Sequence, residues 1–204
     1  DRCIAVDEAG NEIDGDKMLY ILGKRLKSRG MLNKETVVAT IMSNSGLKNA
    51  LQDEGINYFE TTVGDRFVYE AMQNEDFSLG GEQSGHIILK KYATTGDGIL
   101  TAIMVAEEMC DRKSPLSKLC EKVKLYPQHT INIPVKDKAA VENDVEVQKA
   151  IKDTEEKIGG KGRVLLRKSG TEPVVRVMVE SERDAEEMAQ GIADVIKKRG
   201  HSNG

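Results

Sequence analysis

The chain has 204 residues, 39% apolar and 31% charged, a composition suited to one large globular domain or two modest ones. A net charge of −4 and an aromatic content of 4%, with Trp absent, exclude a broad basic footprint for nucleic acid or an anionic membrane and leave few rings for stacking single-stranded bases. The opening residues carry no signal-peptide pattern, and no apolar run approaches the roughly eighteen residues of a spanning helix.

Asp1-Arg2-Cys3-Ile4-Ala5-Val6 falls at once into an apolar strand pattern without an initiating Met, so the sequence reads as cut from something larger. Residues 8–11 form a turn. Asp14 is placed to cap a helix carrying Met18, Leu19, Leu22 and Leu26 at helical spacing, ended by Gly30. Residues 36–42 are a continuous β-branched apolar run, as expected of a strand covered on both faces. Asn44 or Ser45 caps a helix through Leu51, closed by Gly55, and residues 56–61 form the next strand. Residues 67–72 are helical, and residues 77–81 lead through a glycine-rich loop to a strand at 86–89. Asp97 opens a helix bearing Leu100, Ile103, Met104, Ala106 and Met109. This alternation predicts a mainly parallel, mixed α/β sheet domain.

The charged, Pro-containing stretch at 111–115 is the expected domain boundary. Beyond it a strand at 130–135, a long polar helix at 140–158, paired strands at 162–167 and 174–180 and a closing helix at 184–198 predict a smaller α+β domain. Residues 201–204 are expected to fray. Cys3, Cys110 and Cys120 are odd in number and fit no metal spacing, so they read as free thiols of a reducing cytosol.

Four motifs carry candidate chemistry. Arg167-Lys168-Ser169-Gly170-Thr171-Glu172-Pro173, followed by Arg176, is a turn between strands offering guanidinium forks, an ammonium, hydroxyls and a glycine backbone. Those groups suit a phosphate dianion, although a polar hairpin turn would use similar residues. Gly80-Gly81-Glu82-Gln83-Ser84-Gly85-His86 is a tight loop whose Glu82 and Ser84 can bind adjacent sugar hydroxyls, with His86 able to exchange protons near neutrality. A capped polar loop is the plainer reading. Thr62-Val63-Gly64-Asp65-Arg66 is either a turn with a helix cap or a loop whose Arg66 helps hold phosphate. Asp1-Arg2 alone is uninformative. Ser43-Asn44-Ser45-Gly46 lacks the spacing of a nucleophile elbow, and 94–98 reads as a turn plus N-cap.

In combination and order, Gly81-Glu82-Gln83-Ser84-Gly85-His86 and then Arg167-Lys168-Ser169-Gly170-Thr171-Glu172-Pro173 resemble the sugar loop and phosphate loop of the α-D-phosphohexomutase family. Gln83 and Val63-Gly64-Asp65-Arg66 are similar to its hexosamine-phosphate branch. The resemblance covers essentially the whole chain. It implies that residues 1–12 are the tail of a second domain, 13–114 domain three and 115–204 domain four. It further implies interconversion of glucosamine 6-phosphate and glucosamine 1-phosphate through a phosphoserine absent from this chain, which alone would be inactive. The phosphate would be held by Arg167, Ser169, Gly170, Thr171 and Arg176, the sugar by Glu82 and Ser84, with Arg66 and Arg2 beside them and His86 as proton shuttle. Asp1 would be one of three carboxylates on Mg²⁺, the others preceding the chain. A cytoplasmic protein with a missing amino-terminal half as partner, compatible with a homodimer and binding neither nucleic acid nor membrane, follows from the same resemblance. A glucose- or mannose-phosphate mutase and a non-catalytic sugar-phosphate module are the alternatives.

Overall fold

The computed structural model describes residues 1–170 and 172–200, which divide into two compact units, Asp1–Leu125 and Tyr126–Gly204. In the first, β1 (Ala5–Val6) and β2 (Glu12–Ile13) pair as a short antiparallel ribbon. Asp14 then starts α1 (Gly15–Ser28) by accepting from the Lys17 N–H at 3.1 Å. The apolar stripe of α1 is fully buried, with Met18, Leu19 and Leu22 at 0% exposure. There follow β3 (Thr36–Thr40), α2 (Ser45–Asp53) capped by Asn44, β4 (Asn57–Thr61), α3 (Asp65–Asn74), β5 (Leu79–Gly81), β6 (Ile87–Leu89), α4 (Gly98–Arg112) and the short α5 (Leu116–Leu119).

The sheet runs β4-β3-β5-β6. Strand β3 is parallel to both neighbours, and β6 returns antiparallel to β5. Every residue of β3 is buried. Its alternating side chains serve two cores: Val37 and Ala39 join the α1 side, while Val38 packs with Val68, Met72, Phe77 and Ile88 on the α3 side. The expected mainly parallel α/β layer is what forms.

The second unit holds β7 (Gln128–Pro134), α6 (Lys138–Asn143), α7 (Val145–Ile158), β8 (Gly162–Lys168), β9 (Val174–Ser181) and α8 (Ala185–Lys198). Its antiparallel sheet runs β7-β9-β8. Val175, Val177 and Val179 of the central strand bury against Ala189, Ile192, Ala193 and Ile196 of α8, while Arg176 and the buried Met178 alternate with them on the opposite sheet face.

Two expectations need correction. The helix read across 140–158 is broken at Asp144, whose extended backbone (φ −73°, ψ 122°) ends α6 while its carboxylate caps α7 through the Glu146 and Val147 N–H groups. The compact units also part at 125/126 rather than 114/115, because Leu116, Cys120 and Val123 are buried in the first core. The ribbon of residues 5–13 likewise falls in the first compact unit. The fraying expected at 201–204 lies outside the described residues. All three cysteines are free thiols. Among the described residues no helix is long and apolar enough to cross a membrane.

Candidate functional site

The glycine-rich motif is the turn of the β5–β6 hairpin. The Gly85 N–H donates to the Glu82 carbonyl and the Glu82 N–H to the His86 carbonyl, both at 3.0 Å. Two outside segments hold it: Cys3 N–H donates to the Gly85 carbonyl (3.0 Å) and Gly15 N–H to the Gln83 carbonyl (2.9 Å). At Gly85 φ is +88°, and a Cβ there would lie 2.1 Å from the Cys3 carbonyl oxygen, so both the turn and the close approach demand glycine.

This loop sorts its side chains. Ser84 is exposed. Glu82 is half-buried, and its Oε1 accepts from the Gly64 N–H at 3.1 Å. The 62–66 motif therefore meets the glycine-rich loop through a direct bond to the carboxylate. Arg66 instead points away: its side chain is 79% exposed and its Nε donates to Glu70 at 2.7 Å. Arg2 is exposed, and its backbone carbonyl lies against Gly98 at the start of α4.

His86 is only 4% exposed. Its Nε2 accepts from the Gly96 N–H at 3.1 Å, and Nδ1 lies 3.5 Å from Asp1 Oδ2. Asp65 Oδ2 stands 3.9 Å from Nε2. With Nε2 engaged as an acceptor, the neutral ring carries its proton on Nδ1, toward Asp1. The sequence reading missed Gly96, because the cap explained the 94–98 stretch by itself. Asp97 does cap α4, through Ile99 and Leu100 N–H at 3.0 Å. Yet the neighbouring glycine also seats the histidine ring, for a Cβ at 96 would come within 2.6 Å of it.

In the second unit, Arg167 and Arg176 are direct cross-strand partners on β8 and β9. Like charges placed opposite one another in a sheet repel, a cost that a neighbouring anion relieves. One arm of Arg176 meets Glu172 Oε2 at 3.1 Å, while its buried Nε has no hydrogen-bond partner among the described residues. Ser169 is buried at 7%, and its Oγ accepts from the Glu172 N–H at 3.2 Å, which leaves the hydroxyl proton available to donate. The space around Gly170 is open, with no atom within 4 Å of a Cβ built there. Thr171 lies outside the described residues. Lys168 is turned aside, its Nζ 2.5 Å from Glu142.

Among the described residues no group of three or more His, Cys, Asp or Glu side chains could hold a metal ion. Asp1, 64% exposed, supplies a single carboxylate, so the described residues do not by themselves make a magnesium site.

The first unit thus carries a carboxylate, a hydroxyl and a buried histidine on one loop, and the second, taken by itself, sets two arginines opposite one another at a turn. Residues 14–126 match phosphoglucomutase/phosphomannomutase alpha/beta/alpha domain III, and residues 131–198 match the C-terminal domain of the same proteins. The chain belongs to the phosphoglucomutase/phosphomannomutase family. It is 49% identical over 203 residues to a phosphoglucosamine mutase of Lachnoclostridium phytofermentans, covering 98% of this chain and 45% of that protein. It is 49% identical over 201 residues to that of Shouchella clausii, with the same coverage. The chain thus spans about half the length of the curated relatives it matches. The fold is also that of Aspergillus fumigatus N-acetylphosphoglucosamine mutase in complex with GlcNAc-6P and magnesium (TM-score 0.75, 18% identity, 97% of this chain and 46% of that one).

Proposed function

We propose that the chain forms the sugar-reading and phosphate-holding part of a cytoplasmic phosphoglucosamine mutase, which interconverts glucosamine 6-phosphate and glucosamine 1-phosphate. The observation that carries the reading is the cross-strand pair Arg167–Arg176 beside the buried Ser169, with the Arg176 Nε unpartnered among the described residues. Two opposed guanidinium groups and a hydroxyl donor are what a phosphate dianion neutralises. The identity to bacterial phosphoglucosamine mutases and the GlcNAc-6P carried by the Aspergillus enzyme support a hexosamine phosphate as the ligand.

In this reading Arg167, Ser169, Gly170, Thr171 and Arg176 hold the phosphate that is not reacting. Glu82, fixed by Gly64, and Ser84 take adjacent sugar hydroxyls, with Arg2 and Arg66 at the rim. A phosphoserine outside residues 1–204 supplies the phosphoryl group. Asp1 is one carboxylate of a Mg²⁺ site completed by the amino-terminal half. His86, whose Nε2 is engaged by Gly96, would exchange a proton through Nδ1. Phosphoryl transfer rests mainly on positioning and charge neutralisation, so this part binds while catalysis needs the remainder.

Calorimetric titration at low salt with glucosamine 6-phosphate, glucose 6-phosphate and inorganic phosphate tests the reading. All three should bind, the amino sugar best, and Arg167→Ala should abolish binding. Preference for glucose 6-phosphate would move the chain to the neutral-hexose branch, and binding insensitive to Arg167→Ala would remove the phosphate site from this turn.

A further inference from the structure

The phosphate turn is held from a helix that neither the motif nor its flanking strands include. The Lys138 Nζ, at the first residue of α6, donates to the Ser169 carbonyl at 2.7 Å and lies 3.3 Å from the Glu172 carbonyl. Glu142, four residues on and thus on the same helix face, pairs with the Lys168 Nζ. The Val135 N–H, just before α6, donates to the Pro173 carbonyl at 2.9 Å. Asp137 fixes the start of α6 by capping Ala139 and Ala140 N–H at 2.8 and 3.1 Å.

We propose that Lys138 is a positioning residue for the phosphate loop. It draws the Ser169 and Glu172 carbonyls toward α6, away from the arginine pair, and keeps the Glu172 N–H on the Ser169 Oγ. Carbonyl oxygens facing an anion repel it, whereas N–H and O–H groups attract it, so the side to which a turn's carbonyls are drawn decides whether the turn binds phosphate. An ammonium has three donors and no acceptor, which suits it to gathering two carbonyls at once. Its charge also adds to that of Arg167 and Arg176. The Lys168–Glu142 pair removes the adjacent loop cation from competition, so the anion is read by the two arginines. The proposal rests on the phosphate-site reading above.

Two measurements on this chain separate the outcomes. Lys138→Ala should weaken inorganic phosphate binding about tenfold while the second unit still folds cooperatively, and Lys138→Arg should recover most of the binding. In the ligand-free chain the same alanine variant should speed hydrogen exchange of the Glu172 amide while core amides of β9 stay protected. Unaltered phosphate affinity in Lys138→Ala would overturn the proposal, as would exchange that accelerates throughout the second unit. Should the parent chain bind no phosphate, the site reading fails. The Glu172 amide then still decides whether Lys138 sets the loop, and unaltered exchange there rejects it.

Discussion

Gly64 shows what one residue without a side chain does for a carboxylate. Its backbone sits at φ +129°, ψ 132°, a conformation that L side chains adopt only with strain, and a Cβ there would lie 3.4 Å from the Phe67 ring. In that conformation its N–H is aimed at Glu82 Oε1. Gly64→Ala should cost about 1–3 kcal/mol of stability, read from the urea midpoint of the first unit. The same variant should lose affinity for both hexose 6-phosphates while inorganic phosphate still binds, because the arginine pair lies in the other unit. A Gly64→Ala chain that still binds the sugar phosphates better than inorganic phosphate would show that Glu82 needs no such anchor. The glycine was legible as part of a turn motif. Its bond to Glu82 was not, since the two residues are separated by eighteen positions and joined only by the sheet order. The placement of His86 against Gly96 escaped because the Asp97 cap already accounted for residues 94–98.

Helices were easier to read than the ties between them. Asp14, Asn44 and Asp97 cap where their types and positions in sequence place them. Asp144 is equally good cap chemistry, but it lies inside a run whose polar pattern continues across it, so periodicity overrode the cap. What periodicity could not reveal is Arg25, which sits on α1 at 1% exposure, among residues read only as a helical face. Its guanidinium meets Glu108 at 2.8 Å, Asp111 at 2.9 Å and Glu107 at 2.6 Å, all on α4. Glu108, itself buried, also accepts from Arg112 Nε at 2.8 Å. Removing one partner of a buried pair leaves a desolvated charge behind, so Arg25→Met should cost about 3 kcal/mol or more. Adding Glu108→Leu should return much of that loss, since the orphaned carboxylate goes with it. An Arg25→Met chain as stable as its parent would mean that the α1–α4 tie contributes no net stability.

Across the whole molecule, composition and charge gave the broad class, and the change from parallel to antiparallel strands gave the two domain types. The division came out eleven residues early because a charged Ser-Pro stretch looks like a linker, whereas the buried Leu116, Cys120 and Val123 bind the following segment to the first core. Charge reinforces that attachment. Lys122 donates to Glu54 Oε1 at 2.8 Å, and Glu54 closes α2 while also receiving the Tyr20 hydroxyl at 3.0 Å and lying 3.2 Å from Lys24 of α1. The Lys122 hydrogen bond above all, then the Tyr20 and Lys24 bonds, outweigh partial burial and hold the Glu54 carboxyl down at about 2, against an ordinary 4.5. A carboxyl depressed in the folded state stabilises it fully above its unfolded value, and the contribution drains away as pH falls from about 4.5 toward 2. Other carboxylates titrate in the same window, so the informative quantity is a difference. Glu54→Gln should melt below the parent at pH about 6, and the gap should close as pH approaches 2, because the parent then loses by protonation what the variant has already lost. A gap that stays constant across that window would mean that the carboxylate acts through shape rather than charge, and the attachment of residues 120–125 would then rest on Leu116, Cys120 and Val123 alone.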